Sequence, residues 1–337
     1  MWKLNLMAHE QRLMERVKAI LMEKAKKSLK LARQSILQED IEYEPIREAL
    51  CYFMEEVWFD ASHPTLLSLA CEAVGGDPDS TTAIGAAIVL LAGGADVHDD
   101  IIDQSMAKDS KPTVLGKFGT DIAILVGDAL LFKGLLMLYE ACEPLSKEKK
   151  TAILKLAKTA FFEIGNAEAQ EASLRRKLDL NPDEYLDIIK KKVSVAETAA
   201  RMGALLGNGT PESVEIMGDF GRTIGLLMTI RDEFIDVFEM DELRNRYEHE
   251  CLPLPVLYAF QDDARKKELI QLIERKELSQ EETQRITDLV INAETSHALV
   301  RYMHLLIKKE NLRLRQIPKC SDSFSLLLKS TLEDLPY

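Results

Sequence analysis

Apolar side chains recur along most of this 337-residue chain at intervals of three and four positions, which is the spacing of amphipathic helices. Short polar breaks at residues 75–78 and 207–211 interrupt the pattern. No stretch of useful length alternates as a strand does, so we predict an all-α fold forming a single domain over residues 1–337. The predicted helices cover residues 9–38, 42–58, 64–75, 80–107, 119–142, 147–174, 182–205, 211–240, 252–260, 264–275, 280–310 and 322–332.

The N-terminal segment, residues 1–38, is predicted to be an amphipathic helix with a basic face, because Lys and Arg alternate with Leu, Met, Val and Ile. Such a helix can lie on a membrane surface, but an outer helix with a solvated basic side is the simpler interpretation. No signal peptide is recognisable at Met1–Met7, and no window has the ~18 continuous apolar residues of a membrane span.

Charge and cysteine content narrow the range of partners and compartments. A net charge of −13 disfavours nucleic acid, whereas an anionic substrate is still compatible if metal ions stand between it and the protein. The five cysteines are odd in number, widely scattered and without a CxxC pair. We therefore predict a cytoplasmic protein, with peripheral membrane contact left open.

A first acidic cluster ends the predicted helix over residues 80–107. Asp99 and Asp103 are four residues apart, so both carboxylates project from one helix face, and Asp100 lies beside them. Mg²⁺ prefers carboxylate and phosphate oxygens and often bridges protein to phosphate. A solvated acidic face would give the same spacing, but the preceding run of apolar and small residues favours a metal site.

A second cluster repeats this arrangement in GRTIGLLMTIRDEFIDVFE, residues 221–239. Asp232 and Asp236 have the same four-residue spacing, and Glu233 takes the place that Asp100 has in the first cluster. Two such pairs facing each other across a cavity could hold two or three Mg²⁺ ions around one diphosphate and stabilise it as a leaving group. The joint pattern is far more specific than either pair alone.

The order of these motifs resembles the trans-polyprenyl diphosphate synthases of the farnesyl and geranylgeranyl type, over roughly residues 40–330. The second acidic motif differs from that family in having Glu233 as its second acidic residue. The segments that carry the resemblance are HDDIID (98–103), KPTVLGKFG (111–119), LVGDALL (125–131), EYLDIIKKKVSVAETAARMGALLG (184–207) and IRDEFID (230–236).

The resemblance implies an isoprenoid-synthase-type bundle of long helices around a deep central cavity, with the aspartates at its mouth. The implied metal site consists of Asp99, Asp100, Asp103, Asp232, Glu233 and Asp236. Lys192 and Lys108 match positions that contact the allylic diphosphate in the family. The implied cofactor is Mg²⁺, the implied substrate is an allylic prenyl diphosphate, and a homodimer is expected.

Four positions depart from the family where it binds isopentenyl diphosphate. In WFDASHP (58–64), Asp60 and His63 stand at a lysine and an arginine position. Asp109 replaces a second arginine, and Ala92 replaces a glutamine or histidine. Each charge-assisted contact to phosphate contributes about 1.5–3 kcal/mol, so we expect these changes to weaken binding of isopentenyl diphosphate strongly.

Small residues precede the first acidic cluster, where family members that make short products place bulky ones. Gly94 and Ala95 occupy these positions. Because glycine inside a helix costs about 1 kcal/mol against alanine, the run predicts a deep tunnel and a long prenyl donor. Close helix packing is the alternative.

These observations lead us to predict a Mg²⁺-dependent prenyltransferase that passes a long prenyl group to an acceptor other than isopentenyl diphosphate. The acceptor would be a nucleophile such as a hydroxyl, with His63 or the released diphosphate accepting its proton. The main alternative is an ordinary polyprenyl diphosphate synthase that elongates with isopentenyl diphosphate. A non-catalytic partner subunit should have lost the aspartates, and a terpene cyclase would not have Met240 at the third position of its second motif.

Overall fold

Helices make up most of the described chain, as the apolar periodicity predicts. The protein is represented by a computed structural model that describes residues 2–108, 111–275, 277–317, 319, 322–333 and 335. The helices are α1 (Trp2–Leu37), α2 (Glu44–Tyr52), α3 (Ser62–Ala73), α4 (Thr82–Asp103), α5 (Val114–Phe118), α6 (Thr120–Ala141), α7 (Lys147–Ala172), α8 (Pro182–Lys192), α9 (Ser194–Leu206), α10 (Pro211–Ile235), α11 (Met240–His249), α12 (Leu254–Ala259), α13 (Asp263–Ile273), α14 (Gln280–Ile291), α15 (Glu294–Arg313) and α16 (Asp322–Ser330).

Several predicted helices are shorter in the structure than the apolar pattern suggested, and others are divided. The helix predicted over 80–107 ends at Asp103, because Gln104 adopts a left-handed conformation with φ 58° and its N–H caps the last turn. Two short antiparallel strands follow, β1 (Ala107–Lys108) and β2 (Lys111–Pro112). The helix predicted over 211–240 ends at Ile235, and α11 (Met240–His249) was not predicted. The helices predicted over 182–205 and 280–310 are each divided, into α8 and α9 and into α14 and α15.

The chain forms two compact units whose segments alternate along the sequence. Unit 1 comprises residues 1–161, 195–221 and 314–323, and unit 2 comprises residues 162–194, 222–313 and 324–337. The first acidic cluster belongs to unit 1 and the second to unit 2. That the chain works as a single domain stays a prediction.

Unit 1 is organised around α4, which packs against α1, α3 and α6. Its core includes Leu50, Phe53, Leu90 and Leu130, each at most 1% exposed. In unit 2, α12 packs against α8, α14 and α15. Unit 1 thus has an apolar core around α4, and in unit 2 three helices pack against α12.

Among the described residues, two helical stretches, both in unit 1, are long and apolar enough to cross a membrane by length and composition. They are Pro78–Asp103, whose most apolar window is 61% buried, and Thr120–Ala141, whose window is 33% buried. Core helices commonly meet the same criterion, and the first stretch is such a helix because it packs on three neighbours. The second leaves a large apolar face exposed.

Candidate active site

The first acidic cluster occupies the last turn of α4. Asp99 and Asp103 lie one turn apart, as the sequence predicts. Asp99 Oδ1 is buried and has no hydrogen-bond partner among the described residues. A buried carboxylate oxygen without a donor calls for a cation, so the carboxylate chemistry of this turn fits a magnesium ion.

Asp100 is paired with a cation of the protein itself. Lys108 of β1 lies with its Nζ 2.7 Å from Asp100 Oδ1 and 3.0 Å from Asp96 Oδ1. Burial raises the pKa of Asp100 to about 7, repulsion from Asp96 and Asp99 adds to this, and Lys108 acts in the opposite direction. The predicted metal role of Asp100 is therefore not supported by this geometry, since a protein cation already neutralises it. Asp109 lies outside the described residues.

The β1–β2 hairpin is held against unit 1 by contacts of the KPTVLGKFG segment. Tyr52 OH donates to the carbonyl of Pro112 at 2.7 Å, and Thr113 caps α5 by accepting from the N–H of Gly116. Any Cβ at Gly116 would lie 2.0 Å from the carbonyl oxygen of Met106, so only glycine fits. These contacts hold the hairpin that carries Lys108, and thus position Lys108 over α4.

Asp60 and His63 form a close pair at the start of α3. His63 Nδ1 lies 2.7 Å from Asp60 Oδ2, while Asp60 Oδ1 accepts from the backbone N–H groups of Ser62 and His63 at 3.1 Å. Burial alone would raise the pKa of Asp60, but the charge and hydrogen bonds of His63 lower it on balance. Asp60, only 8% exposed, thus accepts from the first two N–H groups of α3 and pairs with His63.

The small residues before Asp99 serve close packing in part. A Cβ on Gly94 would lie 2.7 Å from Leu131 Cγ and 2.8 Å from the Gly127 carbonyl oxygen, both on α6. Gly94 therefore allows α4 and α6 to approach, which is the alternative to a tunnel. Ala95 is exposed and Ala92 is half-buried. A role of Gly94 and Ala95 in donor length stays a prediction.

The second acidic cluster lies at the end of α10 in unit 2. The N–H of Asp236 donates to the carbonyl of Asp232 at 2.9 Å, so the two carboxylates are again one turn apart. The Asp232 side chain is 63% exposed. The surrounding protein still limits the hydration of this carboxylate, which raises the pKa of Asp232 to about 6. Repulsion from Asp236 acts in the same direction, whereas Arg231 acts to lower the pKa. Both features suit a metal ligand.

Glu233 is turned away from that pair into the interior of unit 2. Its Oε1 accepts from Arg246 Nη2 at 3.0 Å, and its Oε2 accepts from the N–H of Leu254 at 2.5 Å. Both oxygens are engaged by protein donors, so the predicted metal role of Glu233 is not supported either. Burial raises the pKa of Glu233, although Arg246 acts against it.

Lys192, at the end of α8, is held by two acidic residues of α7. Its Nζ lies 2.6 Å from Glu171 Oε2 and 3.1 Å from Glu168 Oε2. Burial alone would raise the pKa of Glu171, but Lys192 and the hydroxyl of Tyr185 hold it below its usual value. Lys192 is therefore a positioned cation whose contact with a diphosphate stays a prediction.

The structure adds Arg246, Tyr185, Glu168 and Glu171 to the residues that the sequence singled out. Nothing in the sequence separates Arg246 from Arg244, two positions earlier in the same charged segment. Within the described residues, no group of three or more His, Cys, Asp or Glu side chains forms a ready metal site. Each aspartate pair would need water or phosphate oxygens to complete a magnesium shell, which is how magnesium is often bound.

Comparison with known proteins supports the resemblance noted from the sequence. Residues 61–290 match the polyprenyl synthetase family. The chain is 33% identical to a short chain isoprenyl diphosphate synthase of Methanothermobacter thermautotrophicus over 184 residues, which cover 53% of this chain and 54% of that protein. It is 30% identical to a geranylgeranyl diphosphate synthase of Sulfolobus acidocaldarius, covering 66% of this chain and 64% of that protein. The matches thus span between half and two thirds of these relatives.

The fold is shared more widely than the sequence. A crystal structure of a geranylgeranyl pyrophosphate synthetase from Pyrococcus horikoshii superposes with a TM-score of 0.83 at 24% identity, covering 96% of this chain and 99% of that one. A polyprenyl synthetase from Streptomyces coelicolor gives a TM-score of 0.80 at 20% identity, covering 94% and 99%. The predicted all-α isoprenoid-synthase fold is confirmed.

Proposed function

Because this chain belongs to the polyprenyl synthetase family, we propose that it is a Mg²⁺-dependent prenyltransferase that elongates an allylic prenyl diphosphate with isopentenyl diphosphate. One observation carries this proposal: the family match includes both aspartate pairs, and each pair has its carboxylates one helical turn apart. The names of the relatives favour elongation, which the sequence analysis kept as its main alternative, over transfer to another acceptor.

The proposed metal ligands are the two aspartate pairs whose members lie one helical turn apart. Asp99, Asp103, Asp232 and Asp236 are assigned this role. Asp100 is neutralised by Lys108, and both oxygens of Glu233 are engaged by Arg246 and the Leu254 N–H. Arg246 also pairs with Asp236, but through Oδ2. Bound magnesium would neutralise the diphosphate and make it a better leaving group. Lys192, held by Glu168 and Glu171, is the proposed basic contact to the diphosphate.

The reaction balances without any redox partner. The allylic carbon–oxygen bond breaks, and its electron pair leaves with the diphosphate. The alkene of isopentenyl diphosphate forms the new carbon–carbon bond, and loss of one proton restores a double bond. The chain must therefore orient two diphosphates, which makes the binding of the second one the step to test.

A second candidate function, transfer to a different acceptor, is favoured by the Asp60–His63 pair. Residues 58–64 stand where the family has a basic segment, yet here they carry a buried carboxylate. The oxygens of this carboxylate accept three hydrogen bonds from Ser62 and His63. His63 is thereby paired with a negative charge and offers little to a second anion. A hydroxyl compound would need no such cation.

Incorporation of radiolabelled isopentenyl diphosphate separates the two candidates. The full-length protein is incubated with Mg²⁺ and allylic diphosphates of several lengths, with and without the labelled substrate. Labelled product at a rate well above that of an Asp99→Asn variant would support elongation. Allylic diphosphate binding without any labelled product would overturn elongation and leave the second candidate.

Homodimer formation through α6 is part of this proposal. One face of α6 exposes apolar side chains at helical spacing, between 41% and 65% exposed, namely Ile124, Leu125, Phe132, Leu135, Leu136 and Tyr139. Exposed apolar patches of this kind mark contact surfaces. Asp128 lies on the same stretch with a 62% exposed side chain, which disfavours insertion into lipid and favours a second copy of the chain.

Two measurements test the assembly and the compartment. Light scattering should give about twice the 38.0 kDa chain mass for the native protein and the single mass for Leu135→Glu. Flotation with anionic vesicles should leave the protein in the unbound fraction, whereas co-flotation would favour a peripheral membrane role instead. A cytoplasmic location agrees with the free thiols of Cys51, Cys71, Cys142 and Cys251.

A further inference from the structure

A buried arginine in unit 2 binds directly to the second acidic cluster. Arg246 on α11 has a side chain only 6% exposed, and its Nη1 donates to Asp236 Oδ2 at 2.5 Å. Its Nη2 donates to Glu233 Oε1 at 3.0 Å and to the Tyr185 hydroxyl at 2.8 Å. Its Nε donates to the backbone carbonyl of Cys251 at 2.9 Å. Every nitrogen of the guanidinium therefore has an acceptor.

The Tyr185 hydroxyl extends this network toward Lys192. It has one proton to donate and lies 2.8 Å from Glu171 Oε1 but 3.4 Å from Glu233 Oε1. The hydroxyl donates its proton to Glu171, the closer acceptor, since Glu233 already accepts hydrogen bonds from Arg246 and from the Leu254 N–H. Glu171 in turn accepts from Lys192 at 2.6 Å. A continuous chain of hydrogen bonds thus joins Asp236 to Lys192.

We infer that Arg246 is a positioning residue, which fixes the Asp236 carboxylate for metal binding and ties it through Tyr185 and Glu171 to Lys192. Arg246 engages Oδ2 of Asp236 and so fixes the orientation in which this carboxylate would meet a metal ion. The inference rests on the proposed metal role of Asp232 and Asp236. Partners of metal ligands orient them, and their loss typically lowers metal affinity about 10- to 100-fold.

The geometry explains why arginine occupies this position. A guanidinium offers five donors in a planar fork, so one side chain can bind Asp236, Glu233, Tyr185 and a backbone carbonyl at once. A lysine side chain has the same charge, but its ammonium group is compact and has only three donors. It could neutralise Asp236 or Glu233 without fixing the orientation of both.

The test measures Mn²⁺ binding to the full chain in the presence of inorganic pyrophosphate, by paramagnetic resonance. The Mn²⁺ binding that is lost in Asp232→Asn is assigned to the second cluster. Asp232 suits this purpose because it has no contact with Arg246 among its described interactions. Arg246→Lys and Arg246→Met are each expected to weaken that metal at least about tenfold. Tyr185→Phe, which removes the hydroxyl alone, is expected to fold and to weaken it less.

Arg201→Met is the matched control, because Arg201 is also poorly exposed and pairs with Glu197 and Glu215 within unit 1. It should lower thermal stability without changing Mn²⁺ affinity. If the role of Arg246 is purely structural, Arg246→Lys should recover both the stability and the metal affinity that Arg246→Met loses. If Arg246 is a positioning residue, Arg246→Lys should recover stability more than metal affinity. The losses of Mn²⁺ affinity caused by Arg246→Lys and Asp236→Asn should then be non-additive.

The outcomes distinguish this inference from the function on which it rests. If Asp232→Asn removes a bound Mn²⁺ while Arg246→Lys and Tyr185→Phe retain it at native affinity, the positioning role is overturned and the metal site stands. If Asp232→Asn leaves Mn²⁺ binding unchanged, the second cluster is not a metal site, and both the inference and that part of the proposed function fail.

Discussion

Lys108 forms an ion pair with Asp100, with its Nζ 2.7 Å from Oδ1, and so neutralises the middle acid of the first cluster. The Asp100 side chain is only 3% exposed, whereas Lys108 is 42% exposed. A largely buried carboxylate is thus covered by a cation that solvent still reaches. Lys108 can contact a diphosphate only by sharing or leaving this partner, so its main effect in the free protein is on Asp100.

Removing Lys108 should destabilise the fold by leaving Asp100 unpaired. We expect Lys108→Met to cost about 1–2 kcal/mol at pH 8, less than for a fully buried pair because Lys108 is partly solvated. The double variant Lys108→Met/Asp100→Asn should recover most of this loss, because no buried charge is then left alone. Chemical denaturation of the three proteins measures it. Equal stability of the single and double variants would show that Asp100 does not need its partner.

Asp99 should be indispensable for metal-dependent turnover, because its buried Oδ1 has no donor in the described structure. We expect Asp99→Asn to lower the rate of diphosphate release by at least about 100-fold while the helical circular dichroism spectrum is retained. Asp121→Asn is the control, since Asp121 is an exposed acid in the first turn of α6. Native activity in Asp99→Asn would remove the first cluster from the mechanism.

The two small residues before the first cluster should behave differently on enlargement. Gly94→Leu is expected to destabilise the protein by about 1–3 kcal/mol, because its side chain would meet Leu131 and the Gly127 carbonyl. Ala95→Phe should fold normally, because Ala95 is exposed. Ala95→Phe should also shorten the prenyl product, as assayed by reverse-phase chromatography, if the position limits chain length. Unchanged products from a folded Ala95→Phe variant would exclude that role.

Sequence periodicity predicted most of the helices but missed α11. It also placed each aspartate pair on one helix face, because four-residue spacing on a helix determines which side chains share a face. It could not determine which acids are paired with cations of the protein itself. Asp100 and Glu233 follow Asp99 and Asp232 directly, yet Lys108 and Arg246 neutralise them. Those contacts depend on where the β1 strand and α11 pack, which local spacing does not encode.

The meaning of the small residues before the first cluster was also undetermined by sequence. A glycine inside a helix can leave space for a ligand or allow a neighbouring helix to approach, and the residue type is the same in both cases. At Gly94 the neighbour is α6, whose Gly127 carbonyl occupies the space. In the same way, Arg246 and Arg244 look alike in sequence, and burial of Arg246 separates them only in the structure.

The Asp60–His63 pair should make the stability of the protein depend on pH. Burial alone would lower the pKa of His63, but the adjacent Asp60 carboxylate raises it above its usual 6.5 on balance. The folded state therefore binds the His63 proton more tightly than the unfolded state does. The resulting stabilisation is fully present below about pH 6.5 and is lost as the pH rises through the raised pKa.

The acid limit of that stabilisation is set by Asp60, whose pKa lies below its usual 3.8. Protonation of Asp60 at still lower pH would break the pair. Thermal unfolding from pH 5 to pH 9 should show the native protein exceeding His63→Gln most at pH 5–6, with the difference shrinking toward pH 9. His297→Gln, at an exposed position of α15, should show no such trend. A difference between native and His63→Gln proteins that stays constant across this range would mean that the pair is held by hydrogen bonding alone, without a charge on His63.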